Sequence, residues 1–247
     1  MTAEDGDGGT APEARVTIWE RLERPARGPR PALTHDQIAR AGVEIADEQG
    51  LDAVSMRRLA ERLGVATMAL YRYVASKDDV LELMIDAVAA EIEIPRDTGW
   101  RELARGFAGE LRAVGLRHHW LTAALSRTPH VLTPNLVERV EDMLRSLDGL
   151  GLDVDTMMAV FGTVNAFVRG ATADEVLQRE AMRKRGWASE EEARIAHLPY
   201  VRWLIGTGRY PTLTRYVIEG SNEDDSQWQF EFGLECVLDG IAARLGI

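Results

Sequence analysis

The chain contains a single cysteine, Cys236, in 247 residues. One thiol excludes an intrachain disulfide and any metal or redox site that needs a pair of cysteines. Chains without disulfides are typical of reducing compartments, and we therefore expect a cytoplasmic protein.

Long apolar runs are missing as well. None approaches the roughly 20 residues that a helix needs to cross a bilayer, so no membrane partner is predicted. Residues 1–14, MTAEDGDGGTAPEA, are acidic and rich in glycine, whereas a secretory signal peptide begins basic and continues apolar. We expect this segment to be a disordered acidic tail.

Strand patterns are nearly absent from the sequence. Runs of alternating Val, Ile, Thr and Tyr bounded by turn residues are hard to find, while apolar residues recur three and four positions apart along most of the chain. That spacing is typical of amphipathic helices. The sequence therefore predicts an all-α fold.

The signatures of an enzyme are also lacking. The chain shows no paired carboxylates at a catalytic spacing, no glycine-rich phosphate loop and no Ser/His/Asp order. His118 and His119 are adjacent, and neighbouring side chains on a helix diverge too far to share one metal ion easily. We predict a protein that is not an enzyme and has no catalytic residue, metal or cofactor.

Charge is abundant and unevenly distributed. The net charge of -11 argues, taken alone, against a polyanionic partner. However, residues 15–77 contain eleven Lys and Arg against eight Asp and Glu, whereas residues 78–247 contain eighteen against twenty-eight. A basic segment joined to an acidic body is typical of a DNA-binding module attached to a second domain.

The basic segment begins with a proline-rich stretch, RLERPARGPRP, at residues 21–31. Three prolines and a glycine are incompatible with a regular helix. Residues 15–32 are therefore predicted to form an extended basic arm that leads into the first helix.

Residues 33–93 carry the start and stop signals of several helices. Thr34, Ser55 and Ser76 are suitable N-caps, and Gly64 supplies a tight turn. Two short helices around such a turn are the layout of a helix-turn-helix DNA-binding domain. The predicted helices cover residues 34–49, 56–63, 66–73 and 76–93.

Residues 94–247 are predicted to form a second helical domain. In its last helix, apolar residues from Phe230 to Leu245 make a stripe at helical spacing that must pack against another helix. We expect residues 154–172 and 227–245 to pack as a four-helix bundle across a two-fold axis. The predicted helices cover residues 100–117, 121–127, 134–150, 154–185, 190–204 and 225–245.

Residues 33–88 resemble the DNA-binding domain of the tetracycline-repressor (TetR) family. The likeness rests on the polar cap, the GLDAVS link, the LAERLGV motif and the YRY triplet followed by Ser-Lys-Asp, all at matching spacing. His119-Trp120-Leu121 and residues 230–245 are similar to a C-terminal ligand-binding and dimerisation domain that is common in the family.

The resemblance implies a homodimeric repressor whose third helix enters the major groove of a duplex DNA operator, and which a small-molecule effector releases. A ligand-independent DNA-binding protein and an activator on the same fold are the alternatives. The arm arginines Arg24, Arg27 and Arg30 are expected to reach a flanking minor groove. The residues implied to contact DNA are Thr34, Ser55, Arg57, Thr67, Met68, Ala69, Tyr71, Arg72, Tyr73 and Lys77.

Six residues are candidates for the effector site. Phe161 and Asn165 lie one turn apart on a helix face and suit the wall of a ligand pocket, with core and dimer seam as the alternative. Three others lie in a less regular region, residues 187–210, where the resemblance implies a loop or lid. The magnesium-binding His and Glu set of tetracycline-binding members cannot be placed here, so tetracycline is not predicted. The six candidates are Trp120, Phe161, Asn165, Trp187, Tyr200 and Trp203.

Overall fold

The computed structural model describes residues 17–23, 33–95, 97–128, 131–222 and 225–247. Within these ranges the regular secondary structure is entirely helical, which confirms the predicted all-α fold. The helices are α1 (Ile18–Leu22), α2 (His35–Gln49), α3 (Met56–Leu63), α4 (Thr67–Leu70), α5 (Lys77–Ala89), α6 (Trp100–Arg117), α7 (Leu121–Arg127), α8 (Pro134–Leu147), α9 (Val154–Arg185), α10 (Glu190–Gly206), α11 (Pro211–Glu219) and α12 (Ser226–Leu245). In this part of the chain, no helix combines the length and the apolar character that a bilayer crossing requires.

Part of the predicted arm is a short helix. Thr17 and Glu20 form a reciprocal capping box at the start of α1, and the side chain of Ile18 is buried. Trp19 donates its indole N–H to Glu82 on α5 at 3.1 Å, and Arg21 pairs with Asp79. The Thr-x-x-Glu spacing was the signal for this helix in the sequence. Arg24, Arg27 and Arg30 lie outside the described residues.

The helix α4 is shorter than the predicted segment of residues 66–73. Its N-cap, Ala66, has no side chain that can accept a backbone hydrogen bond. After Leu70 the backbone tightens, with the N–H of Tyr73 bonded to the carbonyl of Leu70 at 2.8 Å. Four residues therefore form the helix, and residues 71–73 form a turn.

Other boundaries also differ from the predictions. The helix α5 ends at Ala89, and α8 ends at Leu147 because Gly149 adopts a positive φ of 80°. The helix α10 lies wholly within residues 187–210, a region predicted to be less regular, and it extends two residues beyond the predicted helix of residues 190–204. The helix α11 was not predicted, although Pro211 at its first position is a common helix start.

The DNA-binding domain is built on the close packing of α2 against α5. A Cβ atom on Gly42 would lie 2.7 Å from Sδ of Met84, so a larger residue would displace the buried Met84 side chain. Ile38, Ile45 and Leu59 are fully buried at the centre of the domain. The supporting helices therefore hold α4 on a rigid base.

In the C-terminal domain, α6, α9 and α12 pack together. Phe230, Leu234 and Leu238 of the predicted α12 stripe are buried within the protomer. On the other side of α12, Glu235 accepts hydrogen bonds from Arg101 and Arg105 of α6, each at 2.7 Å. These bonds, first that from Arg105, lower the pKa of Glu235 to about 2.

Candidate DNA-binding surface and ligand cavity

The turn between α3 and α4 sets the direction of α4. We call α4 the recognition helix. The hydroxyl of Ser55 accepts the N–H of Arg58 at 3.3 Å and starts α3. Gly64 ends α3 in the left-handed region with φ 67°, where residues with a Cβ are strained. Leu70, the last residue of the recognition helix, is buried. The outer face of α4 is thereby directed away from the domain core.

The outer face of the recognition helix carries large exposed side chains. Met68 is 74% exposed and Tyr71 is 48% exposed. Thr67 and Ala69 are half-buried, and Arg72 is exposed. In the part of the chain that the structure describes, neither side chain has a polar partner, and both are available for contacts with base edges and phosphates.

The two tyrosines of the YRY triplet face different surroundings. Tyr73 is half-buried, and its ring makes an edge-to-face contact with His35 at 5.8 Å between centroids. Nε2 of His35 also lies 3.0 Å from the carbonyl oxygen of Tyr73. Tyr71 therefore presents its hydroxyl to solvent, while Tyr73 joins α2 to the end of the recognition segment.

Thr34 and Ser55 are also implied to contact DNA, and in the structure their hydroxyls cap helices. Thr34 accepts the N–H of Gln37 at 3.1 Å, just as Ser55 caps α3. Arg57 has a highly exposed side chain, with Glu61 only at 3.9 Å. Lys77 is half-buried in the first turn of α5, and within the described ranges neither it nor Arg72 makes an ion pair.

Unlike these cations, Arg62 forms ion pairs within its own domain. Its guanidinium bonds Glu44 at 2.9 Å and Glu48 at 2.6 Å, both on α2. The hydrogen bond from Arg62 lowers the pKa of Glu48. Arg62 therefore ties α3 to α2, and Arg57, Arg72 and Lys77 remain as the cations that can approach phosphates.

The C-terminal domain contains a cleft of about 760 Å³ between the end of α9, α10, α11 and the start of α12. This volume lies in the usual range for small-molecule sites. Trp187 is the only one of the six sequence candidates that lines it. Other lining residues are Glu175, Arg179, Met182, Arg185, His197 and Leu198. We call this cleft the C-terminal cavity.

The charged groups that line the C-terminal cavity are three arginines and two glutamates: Arg179, Arg185, Arg194, Glu175 and Glu191. Arg194 pairs with Glu191. Buried Glu175 is already bound by Arg112 at 2.8 Å and by Arg179 at 2.6 Å. The guanidinium carbon of Arg185 lies 4.9 Å from the ring centroid of Trp187, and no carboxylate of the described side chains pairs with it. His197 contacts the same indole edge-to-face at 5.5 Å. The cavity thus offers an aromatic wall beside an unneutralised cation.

Both parts of the chain match known family models. Residues 38–84 match bacterial regulatory proteins of the tetR family, and residues 94–245 match the tetracyclin repressor-like C-terminal domain. The second match alone covers more than half of the chain. The chain belongs to the TetR family of transcriptional regulators. Proteins of this family are DNA-binding regulators rather than enzymes.

Individual TetR-family proteins are similar over most of the chain. The HTH-type transcriptional repressor DrrR1 of Streptomyces coeruleorubidus is 36% identical over 227 residues, which is 91% of this chain and 83% of that protein. An HTH-type transcriptional regulator of Saccharopolyspora erythraea is 34% identical over 245 residues, 96% of each. Among solved structures, the Streptomyces coelicolor TetR family protein ActR in complex with actinorhodin has a TM-score of 0.69 and 28% identity, covering 87% of this chain and 97% of that one.

Within this TetR-family chain, Trp120 does not line the C-terminal cavity. Its side chain is buried and donates its indole N–H to Asp47 of α2 at 2.7 Å. Trp120 therefore stays a predicted effector-site residue that lies outside this cavity. The hydrogen bond spans 73 residues of sequence, and helical periodicity carries no information about such a distant partner.

The other four candidates also lie outside the cavity lining. Phe161 is half-buried against Phe107, with ring centroids 5.8 Å apart, and Asn165 is half-buried one turn later on α9. Tyr200 and Trp203 are exposed on α10, with their rings 5.5 Å apart. Sequence reasoning missed the cationic residues at the end of α9. Their signal was the run of basic residues before the Gly186 helix stop and Trp187.

Proposed function

We propose that the protein is a homodimeric repressor that binds a two-fold symmetric operator through the recognition helix and is released by a small molecule. The observation that carries this proposal is the exposed face of α4, with Met68 and Tyr71 directed outward over buried Leu70, in a chain of the TetR family. The name of DrrR1 as a repressor and the complex of ActR with actinorhodin support repression and a small-molecule effector.

Selection from a pool of random duplexes with the full-length protein tests this function. We expect an inverted repeat whose half-sites are centred one helical turn apart, about 34–36 Å, because two symmetric domains bind the same face of DNA. Log affinity should fall steeply as log salt rises, since phosphate contacts release counterions. Selected sequences without two-fold symmetry would contradict a dimeric operator-binding protein.

The proposed dimer uses the exposed faces of α9 and α12. On α9, Gly162, Ala166 and Gly170 form an exposed row of small residues, and Gly240 is exposed on α12. A Cβ atom added at any of these three glycines would meet nothing within 4 Å. Small residues with open space beside them permit close packing of helices from a second copy.

The effector site that we propose is the C-terminal cavity. Trp187 supplies a flat apolar surface, and Arg185 supplies a guanidinium with no carboxylate partner in the described part of the chain. Guanidinium groups bind carboxylates in charge-assisted hydrogen bonds. A planar aromatic molecule that carries an acidic group matches both features.

A pair of matched probes tests this site. We expect anthracene-2-carboxylate to quench tryptophan fluorescence at lower concentration than the neutral anthracene-2-carboxamide. Arg185→Gln should remove this preference, on the order of tenfold, because it removes one charge-assisted hydrogen bond. Trp187→Leu should weaken both probes, through the loss of the aromatic surface.

Trp203→Leu is the control, because Trp203 is an exposed tryptophan of α10 outside the cavity lining. Its loss should leave the affinity of both probes unchanged. Equal weakening by Trp203→Leu and Trp187→Leu would place binding elsewhere. Equal affinity of the two probes for the wild type would contradict an anionic effector.

A further inference from the structure

Two side chains of the C-terminal domain hold one carboxylate of the DNA-binding domain. Trp120 donates its indole N–H to Oδ1 of Asp47 at 2.7 Å, and Nδ1 of His118 lies 2.9 Å from the same oxygen. Trp120 is 2% exposed and His118 is 4% exposed. Their rings meet edge-to-face with centroids 6.0 Å apart. We call Asp47, His118 and Trp120 the interdomain clamp.

The clamp also reaches the end of α5. Nε2 of His118 lies 3.3 Å from a carboxylate oxygen of Glu91, which follows α5, and Glu91 also pairs with Arg117. Both ring nitrogens of His118 therefore face carboxylate oxygens. His118 thus connects the C-terminal domain with two separate elements of the DNA-binding domain.

Contacts that fix the orientation of α2 also affect the orientation of the recognition helix. Arg62 bonds α3 to α2 through Glu44 and Glu48, and α4 follows α3 after a one-glycine turn. The three helices share a buried core that includes Ile45, Leu59 and Leu70. A rotation of α2 relative to α7 is therefore expected to carry α4 with it.

We propose that Trp120 and His118 are positioning residues for operator binding. By bonding Asp47, they fix the orientation of the DNA-binding domain. The proposal rests on the proposed dimeric function, because only the two DNA-binding domains of a dimer have a spacing between them that the clamp can set. Hydrogen bonds to a carboxylate weaken steeply when the donor moves by a few tenths of an ångström or turns away. The interdomain clamp therefore favours one orientation of the DNA-binding domain, and a movement of α7 that breaks the clamp releases that orientation.

The test measures spacing tolerance rather than affinity alone. The full-length protein is titrated with its selected operator and with duplexes in which one base pair is added or removed between the half-sites. Trp120→Phe retains a ring of similar shape and removes only the donor. We expect it to weaken binding to the correctly spaced operator about three- to tenfold and to reduce discrimination against altered spacing by a similar factor.

Trp19→Phe is the matched control. Trp19 also donates its indole N–H to a carboxylate, Glu82 at 3.1 Å, but this bond joins α1 to α5 and does not involve the C-terminal domain. This variant should lower the melting temperature without changing the ratio of affinities for correct and altered spacing. Half-site base changes should be discriminated by Trp120→Phe as well as by the wild type, because α4 itself is unchanged.

A double-mutant cycle with Asp47→Ala identifies the shared partner. The two changes should be less than additive in spacing discrimination, since each breaks the same hydrogen bond. Trp120→Phe with wild-type spacing discrimination would overturn the proposal, as would an equal loss in Trp19→Phe. A wild-type protein that selects no symmetric operator would instead overturn the proposed function, so the two failures are distinguishable.

Discussion

Arginine in place of Gly170 should leave the protomer folded and separate the dimer. Gly170 is exposed in the 32-residue helix α9, and a Cβ at this position meets nothing within the protomer. Replacing a glycine inside a helix also favours the helix by roughly 1 kcal/mol. The long charged side chain would, however, occupy the space into which a second α9 must pack, and burying its charge there costs several kcal/mol.

Sedimentation velocity measures this outcome. The variant should sediment as a monomer at micromolar concentration, and its affinity for a two-half-site operator should fall by on the order of a hundredfold or more, because the second DNA-binding domain is no longer linked to the first. Gly109→Arg is the control, since Gly109 is an exposed glycine on α6 with equally open space. A dimeric Gly170→Arg protein, or a monomeric Gly109→Arg protein, would show that the interface lies on another face.

Gly170 was chosen from the structure, because the sequence does not show which helix faces are open to a second copy of the chain. The apolar stripe of α12 correctly predicted a buried face, but periodicity does not tell whether a face is covered by the same chain or by a second one. Leu234 is 3% exposed and Leu238 is fully buried inside the protomer. Charge at these positions would therefore disrupt the protomer core and would not test the dimer specifically.

Local signals explain why the DNA-binding domain was predicted well. Thr34, Ser55 and Ser76 each accept a backbone N–H three residues later, and this interaction depends only on residues within one turn. Gly64 adopts the left-handed conformation that its position required. The shortness of α4 was not predictable from the pattern, because the apolar residues that anchor it continue through the following turn to Val74.

The lining of the proposed effector site depends on contacts between distant helices. Trp187 was among the sequence candidates, whereas Arg185 was not. The cleft exists because α10 and α11 fold back beside the end of α9, and α11 was not predicted at all. Residues that share a cavity can be identified from sequence only when the packing of their helices is known.

Alanine in place of Thr67 or Tyr71 should weaken operator binding by about 1–3 kcal/mol each. The hydroxyl of Thr67 is not needed to cap α4, because the N-cap position belongs to Ala66. Its loss should therefore act on DNA contacts and not on the fold. Tyr71 is 48% exposed at the end of the recognition helix, where its hydroxyl can reach the sugar-phosphate backbone.

Competition between the selected operator and scrambled duplex separates these two roles. Thr67→Ala should lose affinity mainly for the operator, because a contact to base edges exists only on the correct sequence, whereas Tyr71→Ala should weaken both duplexes. Arg57→Ala should also weaken both, and it should reduce the slope of log affinity against log salt by about 1. Arg145→Ala provides a comparison, since Arg145 is also an exposed arginine, on α8, and should change neither quantity. If Thr67→Ala and Tyr71→Ala keep their helical circular dichroism and still discriminate operator from scrambled duplex as the wild type does, sequence specificity does not come from α4.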